Sequence, residues 1–123
     1  MSVRFVTKTM HAYLDYPVAI GLIALPVFLD LGQSNPIAFW LSFLTGFAAL
    51  ALTILTDHQT GIIRILPYSV HLAVDFAVGI VFLAAPFALG FTGLDFAYYL
   101  INAIAVLTVV SLAKPQETVA QAA

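Results

Sequence analysis

The residues of this chain best suited to chemistry are two histidine–aspartate pairs, His11 with Asp15 and His71 with Asp75. Four positions separate the members of each pair, which on an α-helix puts imidazole and carboxylate on the same side, one turn apart. Two imidazoles and two carboxylates brought to one centre can hold a divalent metal, exchange protons, or bind the polar head of a quinone-like or lipid-like ligand. The spacing matches no established metal motif. A proton relay would also need polar side chains leading to the far side, where Asn102 is the strongest, followed by Thr45, Thr53 and Thr108.

The two pairs lie 60 positions apart, and each sits in a longer constellation: Arg4, His11, Asp15 and Pro26 in the first half, Arg64, His71, Asp75 and Pro86 in the second. Residues 3–32 and 63–92 align without a gap and also share Val18/Val78, Ile20/Ile80, Ala24/Ala84 and Leu29/Leu89. Only 8% of the chain is charged, so three ionisable residues recurring at identical spacing mark an internal duplication. Repeat one is expected over residues 3–56 and repeat two over 63–113, within a single domain of 123 residues that ends in a short polar tail, 114–123.

The elements that must position these pairs follow from composition. An ordinary soluble domain is about 25% charged; this chain is 63% hydrophobic and has too few charges to cover a water-facing surface. A helix needs about 20 mostly apolar residues to cross the ~30 Å hydrocarbon layer. Four stretches qualify: Ala12–Leu31, Ile37–Thr56, Ser69–Leu89 and Leu94–Ala113. The expected fold is an all-α membrane protein of four transmembrane helices, two parallel helical-hairpin repeats related by a pseudo-two-fold along the membrane normal. Asp15 interrupts the first stretch and the third copies its pattern, so the first is read as a retained span rather than a cleaved signal. With no cysteine, disulfides, thiolate metal sites, iron–sulfur clusters and covalent haem attachment are excluded. A net charge of −2 points to no nucleic-acid partner, and the sequence requires no cofactor.

Arg4, Lys8, Arg64 and Lys114 all fall on one side of this topology, which the positive-inside rule makes cytoplasmic, with both termini inside a bacterial inner membrane. Arg4 and Arg64, each within a short apolar segment, are expected to be interfacial anchors reaching lipid phosphate. Pro26 and Pro86 read as paired helix kinks. Trp40, Tyr98 and Tyr99 fit an outer aromatic belt, and Tyr13, Tyr16 and Tyr68 an inner one. Asp57 and His58, which have no counterpart in repeat two, read as a solvated helix end.

Gly61-Ile-Ile-Arg-Ile-Leu-Pro67, Val70-His-Leu-Ala-Val-Asp75 and Leu83-Ala-Ala-Pro-Phe-Ala-Leu-Gly-Phe91 resemble the SPW-repeat family of small bacterial membrane proteins. The likeness covers nearly the whole chain, one repeat per hairpin, although Ser-Pro-Trp is replaced by Ala85-Pro86-Phe87 and Leu25-Pro26-Val27. The resemblance implies a duplicated two-span membrane fold. It implies no activity and lends no catalytic residues.

Two functions remain open. The first is a non-enzymatic accessory or scaffolding subunit in the lipid bilayer, self-associating or joining a larger membrane complex through small-residue seams such as Ser42/Gly46 and Ala49/Thr53. On that reading Asp15 and Asp75 complement the N-terminal ends of their own helices, and each pair is an anchor that sets helix depth. The alternative is binding or transport of an ion, proton or small ligand by His11, Asp15, His71 and Asp75 together, with metal ligation by the same four residues as one form of it. An enzyme is a third reading, weakened because the segments outside the spans are too short to shape a cleft.

Overall fold

The computed structural model describes residues 3–114, which form four helices: α1 (Lys8–Phe28), α2 (Pro36–Leu55), α3 (Tyr68–Ala88) and α4 (Gly93–Leu112). The expected polar tail lies almost wholly outside the described residues. Each helix is 20 or 21 residues long and apolar enough to cross a membrane, since 20 residues at 1.5 Å per residue reach about 30 Å. Three begin within one residue of the expected position. Helix α1 starts four residues early because the Thr7 hydroxyl accepts the Met10 N–H at 3.0 Å and caps it.

Helix α1 packs on α2, and α3 on α4, giving two hairpins. Small residues set both crossings. A Cβ on Gly46 would lie 2.6 Å from Ile23 Cγ1 and 2.9 Å from the Ala19 carbonyl oxygen, and one on Gly79 would meet Leu107 and Val106. The hairpins correspond element by element, with α1 and α3 starting 60 positions apart and α2 and α4 57, because the second hairpin link is three residues shorter. Matching backbone bridges close the same end of the bundle: Val6 pairs with Ala113 beyond α4, and Leu66 with Thr56 beyond α2.

At the other end the hairpins are tied by polar groups. Asp95, buried in the first turn of α4, accepts the Gly32 N–H at 2.8 Å, and the Ser34 N–H and hydroxyl at 3.0 and 2.5 Å. Pro26, in the last turn of α1, has no N–H to offer the Leu22 carbonyl four residues earlier. The Ser42 hydroxyl of α2 donates to that carbonyl instead, at 2.9 Å. Having spent its one proton there, Ser42 accepts from the Tyr98 hydroxyl at 2.6 Å, while Tyr99 donates to the Ala38 carbonyl at 2.6 Å.

These contacts correct two expectations. Tyr98 and Tyr99 are not belt residues but buried hydrogen-bonding members of the core, and Tyr68 is fully buried as well. Trp40 and Tyr13 are exposed. Ser42 and Gly46, read as part of a seam for contact with other helices, are used inside the chain's own α1–α2 crossing.

Candidate functional site

The matching bridges at one end of the bundle bring the first turns of α1 and α3 together, and with them all four residues of the duplicated pairs. His11 Nε2 lies 3.1 Å from Asp15 Oδ1 on its own helix and 2.8 Å from Asp75 Oδ2 on the other repeat. His71 Nε2 likewise reaches both carboxylates, at 3.2 Å from Asp15 Oδ2 and 3.3 Å from Asp75 Oδ2. One ligand atom from each of the four lies within 4.8 Å of every other. The two imidazoles meet edge to face, their centroids 5.2 Å apart. Both histidines are buried, at 2% and 1% exposure.

A third histidine completes the cluster. His58, expected at a solvated helix end, is buried at 2% exposure with Nε2 3.0 Å from Asp15 Oδ2. It stands in the link between the hairpins, which several bonds hold over the cluster. The Tyr16 hydroxyl donates to the Thr60 carbonyl at 2.7 Å, and the Thr60 hydroxyl to the Ala12 carbonyl at 3.0 Å. Gly61 passes so close to the Thr56 carbonyl that a Cβ has no room. Duplication, the signal that singled out the other histidines, is absent for His58. Its position directly after α2, at the end where His11 and His71 begin their helices, is the signal that finds it.

Hydrogen-bond chemistry fixes one tautomer. Thr56 Oγ1 lies 2.6 Å from the Leu52 carbonyl oxygen, which only accepts, so the single hydroxyl proton goes there. The same oxygen lies 2.7 Å from His71 Nδ1 and must therefore accept, which places a proton on Nδ1. A neutral His71 then turns the bare lone pair of Nε2 toward two carboxylates. That arrangement is repulsive unless a cation, whether a proton or a metal ion, stands between them. Further strain on polar satisfaction sits in the same place: His11 Nδ1, His58 Nδ1 and the Tyr68 hydroxyl are buried without a hydrogen-bond partner among the described residues. The Tyr68 ring lies edge-on to His11, and the Lys8 ammonium sits 5.7 Å above it.

The cluster forms one end of a cavity of about 230 Å³ between the hairpins. Its walls are mainly apolar, with Val18 and Leu22 and their counterparts Val78 and Phe82 among them, and Thr45, Thr53 and Asn102 as polar exceptions. Asn102 Nδ2 donates to the Tyr98 carbonyl at 2.8 Å.

The other residues singled out lie elsewhere. Arg64 is exposed and donates to the Gly61 and Gln59 carbonyls, both at 3.2 Å, bracing the link that carries His58. Arg4 is exposed in the segment leading into α1. Pro26 and Pro86 are buried in the last turns of α1 and α3, and their carbonyls accept the Leu31 and Phe91 N–H groups at 3.0 and 2.9 Å. Comparison with known proteins gives no family model, no curated protein and no solved structure that matches the chain.

Proposed function

We propose that this multi-pass protein belongs to a bacterial inner membrane and binds a cation at a centre shared by its two repeats, on the cytoplasmic side. The observation that carries the reading is the crossing of the pairs: each duplicated histidine contacts the aspartate of the other repeat as well as its own. Two half-buried carboxylates packed against buried imidazoles in an apolar bundle favour a compensating positive charge, and the tautomer of a neutral His71 directs a lone pair to the same point. The side is inferred from Arg4, Lys8, Arg64 and Lys114, which all belong to the cluster end of the chain's topology. The likeness to SPW repeats is compatible with this reading and adds no activity to it.

The accessory-subunit reading loses one of its supports, because Ser42 and Gly46 are filled from within. Ala49 and Thr53 of the second seam line the cavity, and the apolar outer surface, with exposed residues such as Ile20, Leu44, Ile101 and Ile104, is covered equally well by lipid. A double-mutant cycle of Asp15→Asn and Asp75→Asn on thermal stability separates the two. A shared centre gives effects that are non-additive by about 0.5–3 kcal/mol, whereas independent helix-end anchors cost about 0.3–1 kcal/mol each and add.

A further inference from the structure

We infer that the cation is a divalent transition metal of the zinc type, held by His11 Nε2, His71 Nε2 and one carboxylate oxygen each from Asp15 and Asp75. The inference rests on the cation-site reading above and names its ligand.

Spacing is the first argument. Four ligands about 2.0–2.1 Å from a tetrahedral metal stand about 3.3 Å from one another. The nitrogen–oxygen contacts here are 2.8 and 3.3 Å from His11 and His71 to Asp75 Oδ2, and 3.1 and 3.2 Å from them to Asp15 Oδ1 and Oδ2 respectively, with one ligand atom from each of the four residues within 4.8 Å of every other. An imidazolium bound to carboxylates draws them to about 2.7–2.9 Å, which His11–Asp75 matches but neither contact of His71 does. The separations around His71, one nitrogen to two carboxylates, leave room for a metal between them.

Charge is the second. Two carboxylates and two neutral imidazoles carry −2, which one divalent ion cancels in a half-buried site, while one monovalent ion leaves it charged. Calcium and magnesium prefer all-oxygen shells of six or more ligands. A nitrogen–oxygen set without thiolates suits zinc, manganese, iron, cobalt or nickel in the divalent state.

The outer shell is the third. A metal-bound histidine characteristically donates its other ring N–H to a fixed acceptor, and a ligating carboxylate is itself hydrogen-bonded. His71 and Asp15 have such partners, and both come from the link between the hairpins: Thr56 accepts from His71 Nδ1, and His58 Nε2 lies 3.0 Å from Asp15, while His11 Nδ1 has no acceptor among the described residues. The link is thus a positioning element for one ligand from each repeat, which explains why these two partners are not duplicated.

The test is a titration of untagged, chelator-treated protein in detergent with cobalt(II), followed by zinc(II). The expected result is one equivalent of cobalt bound, with the intense visible absorption of a four-coordinate nitrogen–oxygen site that zinc abolishes. Asp75→Asn and His71→Gln should each remove that spectrum, and Thr56→Val should weaken binding about 10–100-fold while leaving the band shape. If Asp75→Asn loses its helical circular dichroism, His11→Gln takes its place with the same expectation. No saturable cobalt binding by folded wild-type protein, or binding that survives Asp75→Asn and His71→Gln combined, overturns the metal assignment. If that happens while Asp15→Asn and Asp75→Asn remain coupled in stability, the shared site stands and protons on its histidines supply the positive charge. If the two are additive as well, both readings fall.

Discussion

His11 Nε2 lies closer to Asp75 of the other repeat, at 2.8 Å, than to Asp15 one turn along its own helix, at 3.1 Å. Sequence separation therefore gives the wrong ranking of these contacts, and the duplicated pairs work as one unit. The hairpins need this link because they touch each other far less than their own members do. The cluster joins them at one end and Asp95 with the tyrosines at the other, with the cavity between.

The two helix-crossing glycines should respond differently to the same change. In Gly46→Ala the new methyl meets backbone, with Ile23 N at 2.8 Å and the Ala19 carbonyl at 2.9 Å, so α1 and α2 must separate. Gly79→Ala meets only side-chain ends of Leu107 and Val106, which can rotate away. Thermal unfolding in one detergent should show a loss of about 1–3 kcal/mol for Gly46→Ala. Gly79→Ala should lose less, because the gain in helix propensity of about 1 kcal/mol offsets part of the clash.

Ser42→Ala should cost about 1–3 kcal/mol, since it leaves the buried Leu22 carbonyl and Tyr98 hydroxyl without their partner. The carbonyl is available to Ser42 only because Pro26 supplies no N–H. In a Pro26→Ala background the helix can bond that carbonyl itself, so the penalty of Ser42→Ala should shrink. An equal penalty in both backgrounds would contradict the assignment.

Asp95→Asn should loosen the first hairpin link without touching the cation centre. The carboxylate accepts three bonds from Gly32 and Ser34, and an amide nitrogen cannot replace the accepting oxygen. Limited proteolysis at residues 32–36 should accelerate. Cobalt binding should stay at the wild-type level, and its loss would show that the two ends of the bundle are not independent.

The topology is checked by reporters. Fusions at Met1 and Ala123 should both report the cytoplasm, and one within residues 32–36 the opposite side. Opposite locations for the two ends would remove the four-span arrangement and the common side of His11 and His71.

The spans were legible because a membrane helix must be apolar over its whole length, a condition that composition alone reveals in Pro36–Leu55 and Tyr68–Ala88. His11, Asp15, His71 and Asp75 were legible because duplication repeats them at fixed spacing. His58 and Thr56 were not, since they act from a link that occurs once and are brought to the cluster by chain folding rather than by helical periodicity. The buried tyrosines were hidden for another reason. A tyrosine near a span end satisfies its hydroxyl at the interface or on a neighbouring carbonyl, and only the positions of Ala38 and Ser42 decide between these for Tyr99 and Tyr98. Small-residue seams have the same ambiguity, because spacing shows that Gly46 permits close approach but not that Ile23 of its own hairpin makes it.

The central claim, one centre built by both repeats, is tested most directly by the coupling between His11 and Asp75. Thermal stabilities of His11→Gln, Asp75→Asn and the double variant should give an interaction energy of about 0.5–3 kcal/mol across the repeats, at least as large as that between His11 and Asp15. Additivity of His11 and Asp75 within about 0.3–0.5 kcal/mol, with coupling confined to His11 and Asp15, would contradict the account and leave two separate anchors.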